Sequence, residues 1–301
     1  MQNPSWFLYG PGSAKIVDRP TPTPKNELDV VVWIRYFGVC GSDVHFWKEG
    51  GFQRKASDEK PIVMGHEASG TIDAVESGVT SVKTADIRFV SGWYSWPTPP
   101  DSHGALTKYF IVPEDFVYKV PDEVSLQEAV LVEPTSVAVQ ATRLAEINYG
   151  QDVVVTGCGT IGLLCAAVAK AFGARRVIFG RYYTGQARLC AHLPRLRREH
   201  KSTIQTGIFL LKAGGSYVQA GLGKAKPEVP MLVLSEKELR VRGCFRYGSG
   251  DYELALSLIA EGKVKPKAML SSVTPFETAI LAWDKTARGE GVKNLIEGVK
   301  D

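Results

Sequence analysis

Two short runs in the first quarter of the chain carry side chains that suit a metal and a proton relay. One is Gly38-Val39-Cys40-Gly41-Ser42-Asp43-Val44-His45, and the other is Gly65-His66-Glu67. A thiolate from Cys40, an imidazole from His66 and a carboxylate from Glu67 are a suitable ligand set for Zn²⁺, with one position left for water or a substrate oxygen. Zinc held this way acts as a Lewis acid on an alcohol oxygen, and Ser42 and His45 can carry the alcohol proton to solvent. Glu133, in Val132-Glu133-Pro134-Thr135, is a further carboxylate at the metal or just outside its ligands. Each residue also has an ordinary explanation: Cys40 as a small buried apolar group, His66 as a hydrogen-bonded core histidine, the glutamates as solvated charges. Spacing by itself does not bring residues 40 and 66 to one ion.

A second kind of chemistry is written in Gly157-Cys158-Gly159-Thr160-Ile161-Gly162. The pattern follows an apolar β-branched run, Asp152 to Thr156, and opens an Ala- and Leu-rich helix expected over Gly162 to Phe172. In that setting Gly157 makes the tight turn and Gly159 admits a pyrophosphate to the backbone. Gly162 allows close helix packing, and Thr160 and Ile161 lie where the helix N-terminus faces the phosphates. A second strand is expected at Arg176 to Phe179. The acid that binds ribose hydroxyls in NAD-preferring folds has no counterpart after it, because the chain continues Phe179-Gly180-Arg181-Tyr182. Arg181 either pairs with the 2′-phosphate of NADP or reads nothing, and both readings stay open.

The elements that must position these groups divide in character. Up to about Ser136 the chain is mostly β, with short strands (Val30 to Phe37, Gly70 to Val75, Leu106 to Val112) between Gly, Pro and Asp clusters. From about Val137 strands alternate with helices, as in a parallel α/β unit. Helical periodicity returns at Tyr252 to Ala260 and at Pro275 to Arg288.

The chain of 301 residues is 44% hydrophobic and 23% charged, an ordinary globular balance. Its net charge of +4 demands neither nucleic acid nor an anionic membrane. No apolar run is long enough to span a bilayer, and the first ten residues lack a secretory pattern, so the cytoplasm is the expected location. The five cysteines are scattered, without the short spacings of a disulfide or structural-zinc framework.

Taken in order, Cys40-Gly-Ser-Asp-Val-His-Phe-Trp, Gly65-His-Glu-Ala-Ser-Gly, Val132-Glu-Pro and the GxGxxG turn resemble the medium-chain dehydrogenase/reductase superfamily. Phe245-Arg246-Tyr247, Ala213-Gly-Gly-Ser-Tyr-Val-Gln-Ala-Gly and Lys293-Asn-Leu-Ile-Glu-Gly extend the similarity to its zinc-dependent polyol dehydrogenases of xylitol, sorbitol and L-arabinitol type. The resemblance implies a GroES-like catalytic domain (1–136, completed by 247–301) around a shortened Rossmann domain (137–246). It implies Cys40, His66 and Glu67 as zinc ligands, with Glu133 on the zinc or its water, Ser42 and His45 as relay, and Arg246 orienting the polyol. Its cofactors would be one catalytic zinc and NAD, with NADP possible. Its substrates would be a small polyol and its ketose, and its assembly a homo-oligomer, with no nucleic-acid or membrane partner.

Two stretches depart from that family. Between Phe89 and Leu106 no cysteine stands where many relatives bind structural zinc, so no structural zinc is expected. Between Phe179 and Ser202 the chain lacks on the order of 50 residues of further strands and helices found in relatives. A mis-spliced or incomplete gene would account for both. The shortening keeps two alternatives open: an inactive relative that retains zinc but binds cofactor poorly, and a nucleotide- or RNA-binding regulator. The second draws only on the basic cluster of Arg195, Arg197, Arg198 and Lys201, which also reads as a solvated loop.

Overall fold

A computed structural model describes residues 2–51, 55–84, 86–91, 104–180, 203–221 and 226–300. They form two compact units: Met1–Glu133 with Pro266–Asp301, and Pro134–Lys265. The sequence placed the chain's return to the first unit at 247, whereas the compact division falls after Lys265.

The first unit begins with an antiparallel pair, β1 (Asn3–Gly10) and β2 (Ser13–Arg19), followed by β3 (Asp29–Gly38). Then come helix α1 (Gly41–Glu49), the short β4 (Ile62–Val63), β5 (Glu67–Val75), β6 (Ile87–Ser91), β7 (Tyr109–Pro113) and β8 (Val117–Lys119). Helix α2 (Leu126–Ala129) opens on Ser125, whose hydroxyl accepts from Glu128 N–H while the Glu128 carboxylate reaches back. Helix α3 (Val132–Leu144) leads into the second unit.

β3 is buried along nearly its whole length, as its Val-Val-Val-Trp-Ile run requires. It pairs antiparallel with β5 and with β7, and thereby centres a seven-stranded sheet. The start of β5 lies three residues earlier than the hydrophobic pattern suggested, so Glu67 sits on a strand. Leu106, expected to begin a strand, instead joins Gly104 and Ala105 in bracing the turn before His66. Their N–H groups donate to Val63, Gly65 and Met64 carbonyls at 2.8–2.9 Å. Gly104 must be glycine there, since a Cβ would lie 2.4 Å from the Met64 carbonyl oxygen.

In the second unit β9 (Asp152–Thr156), α4 (Thr160–Ala171) and β10 (Arg176–Gly180) follow one another, and β10 pairs parallel to β9. Helix α5 (Thr203–Leu210), β11 (Ser216–Gln219), α6 (Met231–Glu236) and β12 (Arg240–Gly243) come next, with β11 and β12 also parallel. Among the described residues these strands make two separate two-stranded sheets. Helix α7 (Asp251–Ala260) closes the unit.

The chain then returns to the first unit with β13 (Leu270–Thr274), α8 (Ala279–Ala287) and β14 (Lys293–Glu297). The helix expected over Pro275 to Arg288 is interrupted: Phe276–Thr278 form a 3₁₀ turn before α8. Ala279, Ala282 and Trp283 of α8 share one face and are buried. Trp283 packs edge-on against Trp6 at 5.9 Å and lies 5.4 Å from Trp47 between ring centres. Through β14, which pairs antiparallel with the end of β3, the last residues of the chain reach the segment that carries Cys40.

Candidate active site

Cys40 is the residue between the end of β3 and the first turn of α1, in an extended conformation. Its N–H donates to the Asp43 carboxylate at 2.9 Å, a reciprocal arrangement that fixes the helix start. The other Asp43 oxygen faces His66 Nδ1 at 3.6 Å, and Asp43 is only 2% exposed. Asp43 therefore contacts both Cys40 and His66, a role the sequence reading did not give it although the spacing from Cys40 is that of a helix-capping pair. Burial by itself would lower the pKa of His66. The charges of Asp43 and Cys40, with hydrogen bonding to both, override that and hold it well above its ordinary value.

The metal-binding atoms of Cys40, His66 and Glu67 lie within 4.8 Å of one another. A soft sulfur, an imidazole nitrogen and a carboxylate gathered in a half-buried to buried site fit a Zn²⁺ ion, which favours such mixed donors at close to tetrahedral spacing. Glu67 is 1% exposed and is ion-paired with the equally buried Lys293. Glu133 stands at the start of α3, 6% exposed, and is not one of the three clustered donors. Its charge nonetheless contributes to raising the pKa of Lys293.

Ser42 and His45 occupy the first two turns of α1, three residues apart and so on one side of the helix. The helix is secured by Trp47, whose indole N–H donates to Asp284 Oδ1 of α8 at 3.2 Å.

In the second unit Gly157 has φ +138°, a conformation reserved for glycine, and Gly159 is the N-cap of α4. A Cβ on Gly162 would lie 2.1 Å from the Gly157 carbonyl oxygen, so the turn closes only with glycine at that position. Thr160 and Ile161 form the first residues of α4, which starts two residues earlier than the sequence pattern indicated. Arg246 adopts the left-handed region at φ +60°, unusual for an arginine, and its guanidinium lies 5.2 Å over the Phe245 ring. Arg181 and the cluster at Arg195, Arg197, Arg198 and Lys201 lie outside the described residues, as does most of the stretch where structural zinc was not expected.

The alcohol dehydrogenase GroES-like domain family matches residues 26–122. D-xylulose reductase A of Aspergillus niger is 39% identical over 349 aligned positions, covering 99% of this chain and 97% of that protein. The D-xylulose reductase A of Aspergillus oryzae is 38% identical with the same coverage. Among solved structures, L-idonate 5-dehydrogenase of Escherichia coli superposes with a TM-score of 0.85 at 21% identity, over 98% of each chain. The 2R,3R-butanediol dehydrogenase of Bacillus subtilis gives 0.83 at 20% identity, over 99% of this chain and 100% of that one.

Fold and matches together define an α/β oxidoreductase with a GroES-like, mostly-β domain and a shortened Rossmann unit. The chain belongs to the medium-chain dehydrogenase/reductase family, within the zinc-dependent polyol dehydrogenase group that includes the fungal D-xylulose reductases. The 349 aligned positions exceed the 301 residues present, so the length missing relative to the Aspergillus niger enzyme lies in internal gaps.

Proposed function

We propose that this protein interconverts a secondary alcohol of a small linear polyol, of xylitol, sorbitol or L-arabinitol type, and the corresponding ketose. The carbinol hydride passes to a nicotinamide dinucleotide, taken to be NAD, and the hydroxyl proton leaves to solvent. The observation that carries this reading is the gathering of the Cys40, His66 and Glu67 donor atoms within 4.8 Å. Zinc held by them supplies Lewis acidity to the alcohol oxygen. Ser42 accepts the hydroxyl proton and His45 hands it to solvent, the one-sided spacing on α1 suiting a relay. Glu133 adds negative charge beside the metal ligands, holding the zinc or its water, and Arg246 donates hydrogen bonds to polyol hydroxyls. The glycines at 157, 159 and 162, with Thr160 and Ile161, cradle the dinucleotide phosphates at the N-terminus of α4.

The family resemblance further supports a homo-oligomer acting in the cytoplasm. No helix among the described residues is long and apolar enough to cross a membrane.

Cys40→Ser and His66→Ala test the site directly. Each is expected to lose stoichiometric zinc, measured by metal analysis of the purified protein, together with polyol oxidation. Zinc retained at full occupancy in both variants would overturn the ligand assignment.

A further inference from the structure

His66 follows a turn whose backbone is supported by a strap, residues 104–107. The N–H groups of Gly104, Ala105 and Leu106 donate to the Val63, Gly65 and Met64 carbonyls, and the Leu106 carbonyl accepts from Trp6 N–H of β1 at 3.0 Å. The strap does not run on as a strand. Thr107 N–H folds back onto the Ala105 carbonyl at 2.8 Å, a three-residue turn centred on Leu106. Gly65 sits directly against this bend at φ +91°, where a Cβ would lie 3.1 Å from Leu106 N. The backbone that delivers His66 is therefore placed by where the strap bends.

A buried polar cluster grips the strap at its bend. The Thr107 hydroxyl donates to Asn3 Oδ1 at 2.7 Å and shares a 2.6 Å hydrogen bond with the Ser5 hydroxyl. Arg19 caps both hydroxyls: its Nε donates to Ser5 Oγ at 2.9 Å and its Nη2 to Thr107 Oγ1 at 3.4 Å, with the guanidinium over the Phe7 ring. Asn3, Ser5 and Thr107 are all buried, so side chains from separate parts of the chain close on one hydroxyl. Holding the strap to β1 does not require them, because Trp6 N–H to the Leu106 carbonyl and Lys108 N–H to the Pro4 carbonyl already do so. A satisfied buried network of this kind fixes one arrangement of its members, and rigidity is the stronger reason for its presence.

We propose that Thr107 is a positioning residue for His66: its hydroxyl, locked by Asn3, Ser5 and Arg19, fixes the bend of the strap and so places the imidazole ready for a metal. The proposal rests on the reading that Cys40, His66 and Glu67 hold zinc. A site already in its binding arrangement costs nothing further to order, whereas a loosened strap must be ordered at the expense of affinity. Support for the fold alone would act otherwise. It would lower the stability of the metal-free and zinc-loaded protein alike and leave zinc affinity unchanged.

The test measures zinc affinity of the full-length protein by competition with a chromophoric chelator, alongside thermal unfolding of the metal-free form. Thr107→Val, which keeps the shape and removes the hydroxyl, is expected to bind zinc about tenfold more weakly. Thr107→Ser restores the hydroxyl and should return the affinity to within about twofold of the parent. Ser5→Ala, which removes the hydroxyl's partner, should weaken zinc binding in the same direction. Parental zinc affinity in Thr107→Val, with only a lower unfolding temperature, would overturn the proposal while leaving the metal site standing. So would weakened binding that Thr107→Ser does not restore. Should Thr107→Val not fold, Ser5→Ala decides by the same comparison, and failure of both to fold would assign the cluster to stability and overturn the proposal. If zinc survives Cys40→Ser at full occupancy, it is the underlying site assignment that fails.

Discussion

At the scale of single residues, the proposed metal ligands show which contacts the sequence carries and which it does not. Cys40, Ser42, His45, His66 and Glu67 were singled out because zinc and proton chemistry restrict residue type and the runs around 40 and 66 supply those types, and the structure gathers three of them, Cys40, His66 and Glu67. Their supporting partners were less legible. Asp43 stands within the quoted run but was given no role, and its bond to Cys40 N–H emerges only once α1 begins at Gly41. Lys293 contacts Val39 across 254 residues of chain, a separation at which no local pattern records a contact. Arg246 was singled out by resemblance alone, and its left-handed backbone is an independent sign of constraint, since an arginine pays strain there. Arg246→Ala is expected to raise KM for polyol about tenfold while leaving NADH affinity unchanged, measured by steady-state kinetics and cofactor titration. An equal loss of cofactor binding would count against a substrate role.

At the scale of elements, the glycine turn between β9 and α4 was readable because three stereochemical needs coincide in six residues: positive φ at Gly157, an open N-cap at Gly159 and close packing at Gly162. Gly162→Ala places a methyl against the Gly157 carbonyl, so the turn must shift. NADH affinity is expected to fall about tenfold with zinc content unaffected. Boundaries were harder to read. The split of the expected C-terminal helix into a 3₁₀ turn and α8 serves the core: Trp6 donates its indole N–H to the Phe276 carbonyl at 2.7 Å and packs against Trp283. Both contacts come from the opposite end of the chain, beyond the reach of helical periodicity. A further element-scale dependence lies at the start of α7. Asp251, fully buried, accepts from Gly248 N–H at 2.6 Å and is ion-paired with Arg143. Asp251→Ala is expected to cost about 2 kcal/mol of stability, seen in denaturant unfolding, because it strands the Gly248 N–H and the arginine. A loss under half that would show that the pair is mainly solvated.

At the scale of the whole molecule, the first unit carries the complete set of proposed zinc and relay residues, and the second carries the glycine turn on a short scaffold. The family, the two-part α/β class and the internal shortening were all recoverable through the family resemblance that the motifs carry in their order along the chain. How the shortened unit pairs its strands was not, since sheet order depends on long-range pairing. The described residues hold β9 with β10 and β11 with β12 as separate pairs. A dinucleotide spans a Rossmann sheet at the carboxyl ends of its strands, so the shortening bears directly on cofactor binding and hence on turnover. The decisive measurement is therefore titration of the zinc-loaded protein with NADH, and in parallel with NADPH, followed by nicotinamide fluorescence. The proposed function predicts saturable, stoichiometric binding of NADH, accompanied by NAD reduction when xylitol, sorbitol or L-arabinitol is added. Binding of NADPH alone would transfer the role to the phosphorylated cofactor and make Arg181 its reader. Binding of neither would contradict the proposed activity and mark the chain as a family member that keeps the metal ligands without the reaction.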